Sequence, residues 1–288
     1  MKVELFKNAV PVFLTICMIV LFGALPILIV GTEIHFSAYV IETKNLILSL
    51  IQPHEITYFI TKPERPLFPE IFHPYLYSMS IYFLAFFLSI LLGLLLSFVT
   101  INFFSKSAKR FISFIVFVLE SLPDLFIVVM IQMGVVWFFK KTGILVMPFT
   151  SLPDERSYFI PIIALSILPT VQFFKMVMLS LEEEIQMDYV VFARAKGMPF
   201  IEILPFHVYR NTLMSIFYQS KSILWMMLSN LLVLEYILNM NGFTSFIFTY
   251  LSPELFVVGL IMLLLPTYLL LLIFKICIKK LNNEEVVL

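Results

Sequence analysis

From Ala9 to Thr32 the chain carries no charged residue, and it has several runs of this kind. A helix needs roughly 20 apolar residues to cross the hydrocarbon core of a bilayer. A segment placed there has few conformations open to it, because lipid offers the backbone no hydrogen-bond partners and only helices and closed barrels satisfy every N–H and C=O. Barrel strands are about 10 residues long and alternate in polarity. The runs here are longer and apolar on every side, so they read as helices. Composition agrees, with 61% hydrophobic and 13% charged residues and a mean hydropathy of +1.00, where soluble domains carry about 25% charged residues. The expected fold class is an all-α integral membrane protein. Lys2 and Lys7 precede the first run as they would in a signal peptide. That run exceeds the roughly 7–15 residue core of such a peptide, so it reads as a retained helix.

Six transmembrane spans fit, at about 10–30, 76–101, 111–139, 158–179, 213–238 and 255–274, in a single membrane domain over 1–288. Pro123, Pro161, Pro169 and Pro266 fall inside spans, which predicts kinked helices whose freed carbonyls are satisfied by neighbours. In the fifth span Gln219-Ser220-Lys221-Ser222 interrupts the apolar pattern. Lys and Arg set the orientation. With the N-terminus in the cytoplasm, twelve of the 19 basic residues fall inside and six outside (Lys44, Lys62, Arg65, Lys140, Lys141, Arg156), Lys221 being within a span. Both termini are therefore expected in the cytoplasm of a multi-pass cell-membrane protein. The longest outer loop is 31–75, and 180–212 is cytoplasmic. Within the outer loop Leu46–Ile51 is apolar but too short to span. It reads either as a helix packed on the bundle or membrane surface, or as a docking surface for an extracellular partner.

Several classes of chemistry are not indicated. Cys17 and Cys277 lie near opposite ends of the chain, without the spacing of a disulfide or metal pair. His35, His54 and His73 are spread along the outer loop rather than at helical metal-site spacing, so no metal is expected. Net charge is zero and the basic residues are scattered, unlike a nucleic-acid surface. The sequence shows no phosphate-binding Gly-x-x-x-x-Gly-Lys-Ser/Thr loop, no Gly-x-Ser-x-Gly elbow and no His-Glu-x-x-His motif. His207 has no acid or nucleophile arranged around it in sequence and reads as a structural histidine. On these grounds an enzyme is not expected, nor a cofactor of the chain's own.

Asp188–Asn211 is a compact charged island between two apolar spans. Asp188 reads as an N-cap that suits the helix dipole. Tyr189, Val190, Phe192 and Ala193 give an apolar face at helical spacing, and Arg194 and Lys196 fall where cations favour a helix end. Gly197 is the expected C′ glycine and Pro199 opens the next helix. The island is therefore a short amphipathic helix, a tight turn and a second helix leading into the fifth span.

Asp188-Tyr189-Val190, Ala193-Arg194-Ala195-Lys196-Gly197 and His207-Val208-Tyr209-Arg210-Asn211 together resemble the signature of the dipeptide/oligopeptide/nickel branch of binding-protein-dependent ABC permeases. Arg65-Pro66-Leu67, Gly93, Ser121-Leu122-Pro123 and Glu235 with Asn241-Gly242-Phe243 extend the resemblance over roughly 65–275. The chain departs from the family at Val30-Gly31-Thr32-Glu33 and in lacking an Asp in the last span. The resemblance implies a type I importer permease with six transmembrane helices and a cytoplasmic coupling helix. Asp188, Tyr189, Phe192, Ala193, Arg194, Ala195, Lys196 and Gly197 would engage an ATPase. It implies as partners a second homologous permease, two cytoplasmic ABC ATPases that bind ATP-Mg, an extracytoplasmic solute-binding protein and the bilayer. The solute would be a peptide or similar small ligand.

Ionisable groups within a membrane are costly and mark pathways or buried contacts. Glu120 and Lys221 both fall roughly 12–14 Å from the inner ends of their spans. This suggests a Glu120–Lys221 pair, with Asp124 as the alternative partner. Such charges line a path, act as a gate, or serve as a static clamp between helices. An ion-coupled carrier or an intramembrane enzyme built on Glu120, Asp124 and Lys221 is the rival reading.

Overall fold

A computed structural model describes residues 2–58, 65–143 and 156–282. Lys62 and residues 283–288 lie outside the described residues, as do the side chains of Lys2, Lys7 and His207. The helices in chain order are α1 Lys2–Leu28, α2 Phe36–Ile51, α3 Phe72–Phe103, α4 Lys106–Glu120, α5 Asp124–Thr142, α6 Phe159–Glu184, α7 Asp188–Ala195, α8 Phe200–Ile203, α9 Tyr209–Ile237, α10 Phe243–Thr249 and α11 Pro253–Asn282. Two short antiparallel pairs, Ile29–Val30 with Glu33–Ile34 and Thr57–Tyr58 with Arg65–Pro66, are the β structure among the described residues.

Among the described residues, five helices are long and apolar enough to cross a membrane: α1 from Val10, α3, α5, α6 and α11 to Lys280. The expected fifth span is α9, a 29-residue helix that runs unbroken through Gln219–Ser222. It has the length to cross but carries Arg210, Lys221, Asn230 and Glu235, which keep it below the apolarity of the other five. Ser220 is fully buried and its hydroxyl donates to the Ile216 carbonyl at 2.6 Å, so the polar interruption is absorbed within the helix.

The expected third span, 111–139, is corrected by the structure. It is two helices, α4 and α5, broken at Ser121–Pro123. Pro123 has no N–H to continue α4 and disfavours helical geometry at the residue before it. It stands instead in extended geometry as the N-cap position of α5.

The chain divides into two compact units. The first comprises residues up to Ser78 with Gly242–Leu270. Leu46 of α2 is 1% exposed and forms a core with Val20, Ala24 and Val257. Leu46 thus packs α2 on its neighbours, while Ile47, Leu48 and Ile51 remain exposed. A Cβ on Gly23 would lie 2.3 Å from the Val257 side chain, so glycine there allows α1 and α11 to approach closely. A second core joins Ile56, Tyr58, Leu67 and Ile71 to Phe243, Ile247 and Leu255.

The second unit comprises Met79–Asn241 and the remainder of α11. Its packing centres on α6 and α9, with α3 alongside. Phe86 meets Phe173 and Phe274 edge-on or tilted at 6.0 and 5.9 Å. Tyr82 donates to the Leu224 carbonyl at 3.0 Å. Tyr209 donates to the Leu94 carbonyl at 3.1 Å and lies 2.9 Å from the Ser97 hydroxyl. Gly93 is where α3 and α6 touch backbone to backbone, since a Cβ there would lie 2.7 Å from Phe173 Cβ and 3.1 Å from the Phe174 nitrogen. The obstacle is largely main chain and cannot swing aside. Gly93→Ala is expected to lower the thermal stability of the purified protein in detergent by about 1–3 kcal/mol. Gly134→Ala, in the middle of α5 with nothing within 4 Å, is expected instead to raise stability by about 0.5–1 kcal/mol.

Candidate functional site

The loop between α6 and α9 folds as a rigid bracket. The helix α7 begins after Met187, which occupies the N-cap position without a side-chain cap bond. Asp188 is thus the first helical residue rather than the expected N-cap, and its carboxylate still lies at the positive end of the helix dipole. At the other end Gly197 adopts a left-handed φ of +83°. The Gly197 amide donates to the Arg194 carbonyl at 2.9 Å and the Met198 amide to the Ala193 carbonyl at 3.3 Å. These are the two bonds of a Schellman closure. Pro199 then caps α8 in extended geometry, and a π-helical segment, Leu204–Val208, leads into α9.

The faces of α7 sort differently from the sequence reading. Val190 and Ala193 are buried, and Tyr189 is half-buried. Phe192, expected beside them, points outward at 62% exposed next to Val191 at 59%. Arg194, Ala195 and Lys196 are also exposed. Lys196 Nζ sits 4.5 Å over the Phe192 ring and the Arg194 guanidinium 4.7 Å over the Phe200 ring. The outward face is therefore apolar at its centre and cationic at its rim.

Tyr189 ties the bracket together. Its hydroxyl donates to the Glu184 carboxylate at 2.5 Å, and the Asn211 amide donates to both Glu184 (3.1 Å) and Tyr189 (3.2 Å). Burial, reinforced by the Glu184 hydrogen bond and charge, pushes the phenol well above its usual ionisation range, so it remains a donor. The end of α6, the start of α7 and the start of α9 thus meet at one polar junction. By sequence, Glu182-Glu183-Glu184 counts as a departure from the family and Glu184 has no role. The signal available was its place in the acidic run Glu182-Glu183-Glu184, four residues ahead of Asp188.

The intramembrane charges pair otherwise than expected. Glu120 accepts from Lys175 at 2.6 Å, not from Lys221. Asp124 accepts from the Asn230 amide. Lys221 lies on another face of α9, 5.1 and 5.2 Å from the Phe217 and Tyr218 ring centroids. Equal depth along two helices does not place side chains on facing sides, and the break at Pro123 turns Glu120 towards α6. The Glu120–Lys221 pair on which the carrier or enzyme reading leaned is replaced by Glu120–Lys175. What the structure assembles is a polar groove of about 480 Å³ whose lining includes Glu120, Gln172, Lys175, Gln219 and Ser222.

With this geometry in view, the comparison with known families is decisive. The family described as binding-protein-dependent transport system inner membrane component matches residues 71–283. The chain belongs to this family. The metal-staphylopine import system permease protein CntB of Staphylococcus aureus, from strains NCTC 8325 and Mu50, is 26% identical to it over 205 residues, 70% of this chain and 62% of the relative. The match thus spans less than two thirds of the length of these curated relatives. A chain of the inward-facing MetNI methionine ABC transporter superposes with a TM-score of 0.52 at 16% identity, covering 74% of this chain and 94% of that one. That likeness shows a shared type I importer permease fold. The family match bears out the resemblance to binding-protein-dependent permeases at the level of the family.

If the Tyr189 hydroxyl holds α7 to its neighbours, Tyr189→Phe should loosen the helix by about 0.5–1.5 kcal/mol, with roughly two- to tenfold faster hydrogen exchange at its amides. Unchanged exchange at those amides would show that apolar packing of Val190 and Ala193 alone fixes the helix.

Proposed function

We propose that the chain is the membrane-spanning permease subunit of an ABC importer, providing half of the solute pathway and coupling to a separate ATPase through α7. The observation that carries this reading is the bracket itself. A short helix, closed at its C-terminus by Gly197 and bound by Tyr189 to α6 and α9, transmits displacement from a partner to two long helices at once. Its exposed Val191 and Phe192, rimmed by Arg194 and Lys196, suit an apolar cleft with acidic edges on the ATPase. In this reading ATP-Mg is bound by the partner, both termini and α7 face the cytoplasm, and a second homologous permease completes the path. An extracytoplasmic binding protein delivers the solute.

The wall of the path is the polar groove of α4, α6 and α9. Charges and irregular backbone at membrane depth are tolerated where they line water or protein rather than lipid. Ser121 and Pro123 at the helix break are exposed in the single subunit, with the Ser121 hydroxyl bonded to the Phe117 carbonyl. The solute is a small polar ligand. A peptide fits the dipeptide/oligopeptide/nickel branch of the α7 signature, and a metal chelate fits the name of the curated relative.

Two changes test the coupling role. Charge reversal of Arg194 and Lys196 to Glu, or Gly197→Pro, is expected to abolish ATP-driven uptake and co-purification of the ATPase, while membrane abundance stays at the parental level. Full uptake in both variants sinks the assignment.

A further inference from the structure

We propose that Glu120 and Lys175 form a charge filter on the wall of the half-pathway, matched to solutes that carry both a carboxylate and an amine. The inference rests on the reading of the α4/α6/α9 groove as path. The pair closes at 2.6 Å with side chains 24% and 51% exposed, so it faces the groove instead of being sealed in a core. Lys175 is the one cation among the described lining residues of that cavity, where the exposed Glu183 is a second carboxylate. It lies nine residues before the end of α6, about 14 Å along the helix. The break at Ser121–Pro123 sits beside it, and Asn230 holds Asp124 on the far side of the break. Gln172, Gln219 and Ser222 add neutral donors and acceptors to the lining.

An ion pair at this depth discriminates by what it leaves behind. A solute with both charges exchanges partners with the pair. Its carboxylate takes Lys175, its ammonium takes Glu120, and no charge is left uncompensated. A solute with a single charge opens the pair and leaves one half of it without a charged partner in the groove, which is less favourable than a full exchange. The filter therefore favours zwitterionic ligands over simple anions or cations of the same size.

The test needs no knowledge of the natural solute. In the complex with Cys17 and Cys277 replaced by Ser, Ser222→Cys is exposed on inverted membranes to a trimethylammonium-ethyl and a sulfonatoethyl methanethiosulfonate. Both reagents are expected to react. Glu120→Gln, which leaves Lys175 unpaired, should raise the anion-to-cation rate ratio by about three- to tenfold, and Lys175→Gln should lower it by a similar factor. The swap Glu120→Lys with Lys175→Glu restores a pair and should return the ratio towards the parental value, separating charge from misfolding. Ratios that stay constant while Ser222→Cys still reacts overturn the filter and leave the path reading standing. If Ser222→Cys reacts with neither reagent while Ser107→Cys, exposed at the start of α4, reacts with both, the path reading fails and the filter with it.

Discussion

Lipid offers no hydrogen-bond partner to a peptide group, and the rest of this structure follows from that. Every long apolar run must close its backbone bonds internally, so α1, α3, α5, α6 and α11 are helices of membrane length. The same rule gives meaning to the places where the helical ladder stops. One is the α4–α5 break, where Pro123 forbids continuation. Another is the π-helical turn Leu204–Val208, which contains Pro205 and opens into α9. Neither is compatible with a lipid face. The first lies at the polar groove and the second at the charged loop, so the interruptions mark where water or a partner replaces lipid.

The groove and the bracket share two helices. The helix α6 carries Gln172 and Lys175 in the groove and Glu184 at the junction with α7. The helix α9 begins near Asn211, which closes the same junction, and presents Gln219 and Ser222 to the groove. A displacement imposed on α7 therefore reaches the polar wall through helical rods rather than through a chain of loose contacts. Close packing of α3 on α6 at Gly93 gives those rods a fixed neighbour. The Tyr209 hydroxyl adds a bond from the start of α9 to the Leu94 carbonyl of α3.

Polar side chains within the second unit are used twice over. Ser220 turns its hydroxyl to its own helix and leaves no demand on its surroundings. Glu120 and Lys175 instead bond between helices and line the groove, and Asp124 bonds to Asn230 between α5 and α9. This difference separates polar groups that a hydrophobic segment can tolerate from groups that indicate a path. Exposure decides it, since both kinds look alike in a linear sequence.

Much was legible in the sequence. The apolar runs determined a helical membrane fold, because length and uniform hydropathy act locally. The α7 module was equally local, with Gly197 at a left-handed position, Pro199 ahead of the next helix and cations in the last turn. Which side of α7 faces outward was not legible, since Val190 and Phe192 are equally apolar and only tertiary packing decides that one is buried and the other exposed. The partner of Glu120 was decided in the same way. Depth along a helix can be counted from sequence, but the azimuth of a side chain depends on how helices pack and where they break, and so the structure gave Lys175 where counting gave Lys221. Local chemistry was written along the chain, and pairings between distant segments awaited the packing that brings them together.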